Sequence, residues 1–352
     1  MMTEQKQPVI LAIDTSNYTT SAACSTPDWG YVSGGFLIKQ EKQLLSVKEG
    51  TRGLRQSDAL FAHTCNLPAI LERLTQALPE NAEIVAVGCS TTPRRMEGSY
   101  MPCFLAGENV ARGIAAAMKI PFYAFSHQEG HIAAAAYSAL YAPDNTALPG
   151  NAANETPFSE APFLAFHVSG GTTDLLHITP DNGRYDIRML GTSLDLHAGQ
   201  VIDRIGVMLG LTFPCGPEME KLAAAFDGTL ASPKTCVKDC SCNLSGVENL
   251  AQKMLREGKG AEEIAAFVFL FLQKTLTQMT QQALEKYPGT PVLYAGGVMS
   301  NRLMRNTLSG FCREKNSRAY FAAPAFSSDN ASGTSLLACR AYLRSLSSEE
   351  PK

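Results

Sequence analysis

Two histidines one helical turn apart, His127 and His131, form a pair of potential metal ligands near the start of a predicted helix. A spacing of four residues separates them by about 40° around the helix axis, so both imidazoles can face one ion. Glu129 is turned by about 200° from His127, whereas the Glu of a zinc peptidase directly follows the first His of its motif. Two imidazoles and one carboxylate suit Fe(II) or Zn(II) and leave positions open for a substrate.

A third ligand must come from elsewhere in the chain, and Asp329 is the candidate. It lies at a predicted strand-to-helix turn, where α/β sheets place their ligands. The alternative role for Asp329 is a helix N-cap. The alternative for the two histidines is a set of ordinary hydrogen bonds on one helix face, and the sequence leaves both alternatives open.

Two segments of the chain, 11–23 and 164–176, align without a gap. Each is an apolar strand, a turn of small residues and a second strand. Small residues let the backbone approach a ligand, and the N–H groups and hydroxyls of such turns suit phosphate oxygens. The repeat therefore predicts two related lobes that hold a nucleotide between them, although unrelated hairpins can share this pattern.

Length and composition fit a globular protein of two domains: 352 residues, of which 45% are hydrophobic and 18% charged. The net charge of −3 gives no overall positive character, so a nucleic-acid substrate would need a local basic patch or a partner protein. We find no secretory signal and no apolar run long enough for a bilayer, and we expect a cytoplasmic protein that does not bind membranes. Its ten cysteines are expected to be reduced.

Strands and helices alternate along the chain, which predicts an α/β fold with mixed sheets. The predicted strands are 8–14, 19–25, 31–37, 84–90, 122–125, 163–168, 173–179, 184–190, 291–295 and 318–321. The predicted helices are 57–77, 103–118, one from about Ser126, 194–209 with Ser193 as N-cap, one with Pro217 in its first turn, 262–286, one from Ser300 and one from about Asp329. Residues 141–162 are rich in Pro, Asn and Ala and predict an exposed insertion loop.

Taken together, these segments resemble the TsaD/Gcp family of threonylcarbamoyladenosine synthases, formerly described as glycoprotein endopeptidases. The resemblance covers nearly the whole chain, and its most specific motifs lie at 127–131, 168–172, 198–203, 214–218, 295–301 and 328–330. It implies a two-lobed fold of the actin, Hsp70 and sugar-kinase (ASKHA) type with a central nucleotide cleft. The lobes would span 1–125 and 126–352, with the loop in the second lobe and the C-terminal helix, about 329–346, packing back on the first.

The resemblance also implies ligand roles for individual residues. His127, His131 and Asp329 would hold one divalent metal ion, iron or zinc. Asp203 would hydrogen-bond a ribose, Gly216 would let the nucleotide pack closely, and Asn301 would contact it from the opposite side. The residues that would line the ligand-binding turn are Val168, Ser169, Gly170, Gly171 and Thr172.

By the same resemblance, the reaction would be an acyl transfer. The cleft would hold AMP, ADP, ATP or threonylcarbamoyl-AMP. The threonylcarbamoyl group would pass to the exocyclic amine of the tRNA adenosine next to the anticodon. TsaB-like and TsaE-like proteins would be partners.

Several positions depart from the family pattern. Typical members have His and Gln where this chain has Thr172 and Asp174, and a Lys where it has Glu248. Acidic positions are replaced by Thr192, Leu196 and Gln200. Arg94 and Arg95, in a stretch that replaces a glycine-rich one, could contact a phosphate backbone or belong to an exposed charged loop. These changes leave open a divergent paralogue with another acceptor.

Other functions are also consistent with parts of the sequence. The fold hosts kinases, but a kinase holds magnesium through phosphates and water and needs no histidine pair. A nucleotide-binding scaffold subunit would need no metal ligands, and the peptidase label has no support from Glu129. A second metal could bind thiolates of Cys215, Cys236, Cys240 and Cys242, although their spacing lacks paired C-x-x-C units.

Overall fold

A computed structural model describes residues 6–16, 18–27, 38–46, 54–141, 158, 161–326 and 331–348. Its strands are β1 Gln7–Ser16, β2 Thr19–Ser25, β3 Ile38–Leu44, β4 Ala82–Thr92, β5 Phe122–Ser126, β6 Phe163–Val168, β7 Thr173–Asp181, β8 Arg184–Thr192, β9 Cys236–Lys238, β10 Ser241–Asn243, β11 Val292–Ala295 and β12 Ala319–Phe321. Its helices are α1 Gln56–Gln76, α2 Phe104–Met118, α3 His127–Tyr141, α4 Ala198–Met208, α5 Gly216–Ala225, α6 Ser245–Arg256, α7 Ala261–Lys286, α8 Arg302–Glu314 and α9 Ser332–Ser348.

Two five-stranded mixed sheets share one topology. The first has the order β3-β2-β1-β4-β5 and the second the order β8-β7-β6-β11-β12. In each, three successive antiparallel strands lead into two parallel ones. The aligned segments 11–23 and 164–176 fall on the equivalent hairpins β1–β2 and β6–β7. The predicted α/β fold with two related halves and mixed sheets is therefore confirmed.

Helices cover both sheets and fill the space between them. The apolar faces of α1 and α2 pack on the first sheet, and α4 to α8 pack on the second. Between the sheets lie α3 and α9, whose alanines and leucines contact Ile10 on one side and Phe163 on the other. Burial of this shared layer joins the two halves through one apolar core, because removing its apolar surface from water is favourable.

The backbones of α3 and α9 cross almost without intervening side chains. A Cβ on Gly333 would overlap the carbonyl oxygen of Gly130, and a Cβ on Gly130 would lie 2.7 Å from the Thr334 hydroxyl. In the first sheet, a Cβ on Gly88 would lie 2.8 Å from the Cβ of Ala338. Glycine at these positions lets α9 approach both α3 and β4, and Ser335 then donates a hydrogen bond of 3.0 Å to the carbonyl of Ile10 in β1.

One predicted helix boundary is wrong. The helix predicted over 194–209 begins at Ala198, and its N-cap is His197 rather than Ser193. The preceding residues form a turn around Asp195, whose carboxylate accepts backbone N–H groups at the entrance to α6. Burial acts to raise the pKa of Asp195, but hydrogen bonds from the Ser245 hydroxyl and from the backbone N–H groups of Leu244, Leu196 and Ser245 outweigh it and hold the pKa at about 2.

The other predicted elements agree with the structure to within a few residues at each end, with two exceptions. The strand predicted at 31–37 lies outside the described residues, and the strand that pairs with β2 is β3. Most of the insertion loop predicted at 141–162 also lies outside them. The sequence analysis missed α6 and the β9–β10 hairpin. The periodic apolar face of α6 is a signal that could have revealed this helix. Strands of three residues, in contrast, are too short to show an alternation of apolar and polar residues.

Two further findings concern the whole described chain. Within the described residues, no helix is long and apolar enough to cross a membrane. All ten cysteines are free thiols, and most of them are buried.

His63, in α1, generates a prediction about stability and pH. Its side chain is fully buried, its Nδ1 is 2.8 Å from the Thr20 hydroxyl, and its Nε2 has no partner among the described residues. Burial lowers the pKa of His63 to about 4, against a smaller upward effect of Asp14. The unfolded chain therefore binds a proton that the folded chain excludes between pH 6.5 and 4, and stability falls as the pH drops through that window.

We expect H63N, which keeps a polar group near Thr20 but does not titrate, to lose this dependence. Between roughly pH 7.5 and pH 5 the unfolding free energy of the wild type should fall by about 2 kcal/mol more than that of H63N. Urea unfolding at the two pH values measures the difference. Equal losses in both proteins would show that His63 is not the group that titrates.

Candidate active site

The histidine pair lies at the junction of β5 and α3. The strand ends at Ser126 and the helix begins at His127. The ring centroids of His127 and His131 are 4.3 Å apart, so the two imidazoles lie side by side, as helical geometry predicts. The start of the helix is fixed by Glu129, whose Oε2 accepts the Ser126 N–H at 2.8 Å and the Ser126 hydroxyl at 2.9 Å.

Glu129 points away from the histidines. Its side chain is fully buried and forms a bidentate pair with Arg184, with both N–O distances at 3.1 Å. This pairing neutralises the buried charge and ties α3 to β8. Glu129 is therefore a structural residue of the helix start, and the arrangement of a zinc peptidase is absent here.

Asp14, which the sequence analysis missed, is the buried partner of His127. Its Oδ2 lies 2.8 Å from His127 Nδ1. Burial acts to raise the pKa of Asp14, but the charge and hydrogen bond of His127 and the hydrogen bonds of Ser90 and Ser16 leave it below its ordinary value. With Asp14 ionised, Nδ1 carries the proton and donates it, so Nε2 is the ring nitrogen of His127 that carries the lone pair.

A third imidazole approaches from the second sheet. His167, near the end of β6, has its ring centroid 5.4 Å from that of His131. The sequence analysis did not select it, although it immediately precedes the glycine turn at 168–172. Three histidines from two elements therefore face one cavity of about 610 Å³, which is also lined by Arg94 and Asp174.

The described residues do not complete a metal site. Among them, no group of three or more His, Cys, Asp and Glu side chains is placed to hold a metal ion. The predicted third ligand, Asp329, lies outside the described residues. The described residue that precedes this gap, Phe326, lines the histidine cavity, and Ala331, which follows it, is buried.

A second cavity, of about 320 Å³, brings together four of the predicted nucleotide-binding residues. Gly170, Asp203, Gly216 and Asn301 all line it. Two of them also hold the local backbone. Asp203 accepts the Cys215 N–H at 2.9 Å, and Asn301 is the N-cap of α8.

The glycine turn at 168–172 lies between the two cavities. Ser169, Gly171 and Thr172 line the histidine cavity, whereas Gly170 lines the smaller one. Val168 lines neither of these two cavities and is a fully buried core residue.

The backbone is tightly packed at the start of this turn, where Gly296 meets Val168. Gly296 packs against the Val168 backbone with φ of +100°, where a larger residue would be strained. A ligand that extends from one cavity to the other must pass the small residues of this turn.

The turn is held in place by the start of α4. The Gly199 N–H donates to the Ser169 carbonyl at 3.1 Å, and the Ala198 N–H donates to the Thr173 hydroxyl at 2.9 Å. A Cβ on Gly199 would lie 2.7 Å from both the Cα and the N of Gly170. Helix and turn are therefore in direct backbone contact, which only glycine at 199 permits.

The family is decided by sequence comparison. Residues 46–335 match the family model described as TsaD: tRNA N6-adenosine threonylcarbamoyltransferase. The chain belongs to this family. The predicted resemblance to TsaD/Gcp proteins is thereby confirmed.

Relatives and solved structures agree with this assignment. A tRNA N6-adenosine threonylcarbamoyltransferase of Neorickettsia sennetsu is 27% identical over 331 residues, which covers 92% of this chain and 90% of the relative. A protein of the same name from Thermus thermophilus is 29% identical over 342 residues, which covers 95% of this chain and 93% of the relative.

HypF in its phosphate- and nucleotide-bound form superimposes with a TM-score of 0.57 at 10% identity, over 97% of this chain and 56% of that chain. HypF of T. kodakarensis gives a TM-score of 0.54 at 13% identity, over 96% of this chain and 48% of that one. This chain spans about half of those proteins, and the likeness shows the shared ASKHA fold alone.

Several positions that the sequence analysis expects to differ from the family contact one another around the cavities. The Thr192 hydroxyl donates to Asp174 Oδ1 at 2.6 Å, and the guanidinium of Arg94 lies 3.7 Å from Asp174 Oδ2. Arg204 pairs with Glu248 at 2.9 Å. The changes at 174 and 192 therefore interact directly, and Glu248 is paired with a cation.

Three other singled-out positions have local partners. The Gln200 side chain accepts the His197 N–H at 3.0 Å, so it caps α4 as a glutamate would. Leu196 packs against the core of the second sheet. Arg95 pairs with Asp181 at 3.5 Å, so both arginines of the charged stretch lie beside carboxylates.

The four cysteines of the candidate second metal site occupy different environments. Cys215, Cys240 and Cys242 are buried, and Cys236 is exposed on β9. Burial raises the pKa of Cys242 to about 11 and acts in the same direction on Cys215 and Cys240. These buried thiols are therefore expected to be protonated at neutral pH. They belong to no group of described side chains that is placed to hold a metal ion.

The close contact between α4 and the glycine turn predicts that a methyl group added at position 199 destabilises the protein. G199A should displace the turn, because the added Cβ would meet the backbone of Gly170, and should cost about 1–3 kcal/mol of stability. AMP affinity should fall about tenfold, since the turn lines the smaller cavity. Thermal unfolding and calorimetric titration with AMP measure the two effects.

A matched control is G113A in α2. No atom lies within 4 Å of the Cβ that it would add. This exposed helical position should gain about 0.5–1 kcal/mol without a change in AMP affinity. Wild-type AMP affinity in G199A would contradict the role assigned to the turn.

Proposed function

We propose that this protein transfers a threonylcarbamoyl group from threonylcarbamoyl-AMP to the exocyclic amine of the tRNA adenosine next to the anticodon. Its membership of the TsaD family supports this reaction. The observation that carries the proposal is the placement of the glycine turn between a cavity with the predicted nucleotide-binding residues and a cavity with the histidines. One substrate with a nucleotide at one end and an acyl group at the other fits that arrangement.

In this proposal the nucleotide occupies the smaller cavity. Asp203 accepts hydrogen bonds from the ribose hydroxyls, and Asn301 contacts the nucleotide from the opposite wall. Gly216 allows close packing of the nucleotide against the start of α5. The N–H groups of Ser169 and Gly171 hold the turn together by donating to the Thr172 carbonyl and the Ser169 hydroxyl. The Ser169 hydroxyl, which lines the histidine cavity, donates to the phosphate.

The donor set of the larger cavity suits a divalent metal, iron or zinc. His127 and His131 would be two of the ligands, and Asp329 would be the third. The carboxylate of Asp14 on His127 Nδ1 is the support that metal-bound histidines commonly have, because it fixes the ring and its tautomer. When bound, the metal would polarise the carbamoyl carbonyl as a Lewis acid.

The transfer itself exchanges one bond for another. The amine nitrogen forms a C–N bond with the carbamoyl carbon, and the C–O bond of the mixed anhydride breaks. AMP leaves with that electron pair, and a proton from the amine passes to water. The chain binds and orients the two substrates so that these atoms meet.

Partners complete the proposed reaction. The net charge of −3 does not favour tRNA binding by this chain alone, so TsaB-like and TsaE-like proteins are proposed to assist it in the cytoplasm. We assign the lobes to 1–125 and 126–352, with tRNA approaching the open side of the histidine cavity.

A second candidate follows from the substituted positions. Thr172, Asp174 and Thr192 lie at or beside the histidine cavity and differ from the family pattern. Glu248 pairs with Arg204 in a third cavity, which shares Gly170 and Asp203 with the smaller one. A divergent paralogue that passes the same acyl group to another amine would keep the nucleotide cavity and change these positions. The experiment must therefore identify which amine accepts the acyl group, as well as whether transfer occurs.

The test combines the purified protein with threonylcarbamoyl-AMP and unmodified tRNA, with and without the TsaB-like and TsaE-like proteins. We expect threonylcarbamoyladenosine in the digested tRNA by mass spectrometry. H131A should lower the rate by about 100-fold or more, because it removes a direct ligand. D14N should lower metal affinity by about 10–100-fold, because Asp14 acts through His127.

The matched control is H177N. His177 lies in β7 of the second sheet, where it stacks on Tyr287, and it does not line the histidine cavity. Its rate should equal that of the wild type. Bound AMP without modified tRNA under any combination would exclude the tRNA acceptor. Equal rates in H131A and wild type would exclude the metal-dependent form of the proposal.

A further inference from the structure

His167 and Asp174 form a cross-strand pair at the edge of the histidine cavity. They are directly opposite in the β6–β7 register, one step beyond the Val168–Thr173 pair that closes the turn. Both side chains line the cavity that also contains His127 and His131. Side chains that are opposite on one face of an antiparallel pair lie close together. The hairpin therefore presents an imidazole and a carboxylate beside the histidines of α3.

The position of His167 is fixed by three strands. Its residue pairs with Asp174 on one side and with Ala295 of β11 on the other, so the backbone is hydrogen-bonded within the centre of the sheet. Asp174 is held by the Thr192 hydroxyl and faces the Arg94 guanidinium. A side chain on such a rigid element is better placed to orient a substrate than one on a loop.

We propose that His167 binds the acyl group, with its imidazole N–H donating a hydrogen bond to an oxygen of the carbamoyl or amino-acid moiety. This inference rests on the proposed function. It assigns a binding residue to the acyl end of the substrate, which the proposed nucleotide-binding residues do not contact. His167 is a substrate-binding residue beside the metal ligands, and the metal itself is held without it.

Thr172 faces the same cavity as His167 from the other end of the turn. The turn itself carries a hydroxyl at this position, and the imidazole comes from the strand that enters the turn. Because both positions line one cavity, an imidazole placed at position 172 can reach the space that the His167 imidazole faces.

His167 and the histidine pair come from different elements. His127 and His131 lie one turn apart on α3, whereas His167 lies on β6 with its ring centroid 5.4 Å from that of His131. In the proposed function His127, His131 and Asp329 hold the metal, so we expect the metal content of the protein to be independent of His167.

The experiment compares the affinities of two ligands for the metal-loaded full-length chain by calorimetry. AMP reports on the smaller cavity, and a hydrolysis-resistant analogue of threonylcarbamoyl-AMP reports on both cavities. The wild type should bind the analogue more tightly than AMP. H167L should bind the analogue about tenfold more weakly than the wild type does and should bind AMP equally well, with unchanged metal content by elemental analysis.

Two further variants test the chemistry of the contact. H167Q keeps an N–H donor near the position of the imidazole Nε2 and should recover most of the lost affinity. H167L combined with T172H should also recover affinity, because the second change returns an imidazole to the same cavity from the turn. A purely structural role for His167 would not be restored by a donor at position 172.

Each outcome decides one question. Equal affinity of the wild type for AMP and the analogue would contradict the proposed function. If the wild type binds the analogue more tightly than AMP, and H167L and H167Q show the same preference, the role of His167 is overturned. The proposed function then still stands. Loss of metal from H167L would make His167 a metal ligand and overturn the inference, and AMP binding by each variant shows that its cleft is folded.

Discussion

The backbone contact between the start of α4 and the glycine turn at 168–172 determines the geometry of both cavities. The Gly199 N–H donates to the Ser169 carbonyl, and Gly170 lies too close to position 199 for any side chain there. Because residues of the turn line both cavities, its position sets the separation between Asp203 and Asn301 in the smaller cavity and the histidines in the larger one. The rest of the second sheet and its helices keep that turn in place.

The histidine pair depends on a second set of close backbone approaches. α3 lies between the sheets and crosses α9 at Gly130 and Gly333. This crossing fixes the helix that carries the imidazoles against an element from the end of the chain, and Asp14 fixes the ring of His127 from the first sheet. The histidine cavity is therefore assembled from both halves of the chain, which explains why the two sheets must share one apolar core.

Polar and charged side chains around the cavities follow a common physical rule. They are paired with one another, as Thr192 is with Asp174 and Arg204 is with Glu248. Pairing lowers the cost of placing a charge at a partly buried position.

The sequence by itself determined the alternation of strands and helices, the repeated hairpin, the facing of His127 and His131 and the family. These features depend on local periodicity and on short motifs, which the chain carries at fixed spacings. Only the tertiary structure decided that Asp14 braces His127, that His167 joins the cavity and that α4 begins at Ala198 rather than at 194. Asp14, His127 and His167 come from three elements far apart in the chain, and the turn before α4 is held by Asp195 through backbone groups near residue 245. Contacts between distant segments leave no periodic signal, so they become visible only when the sheets and helices are assembled.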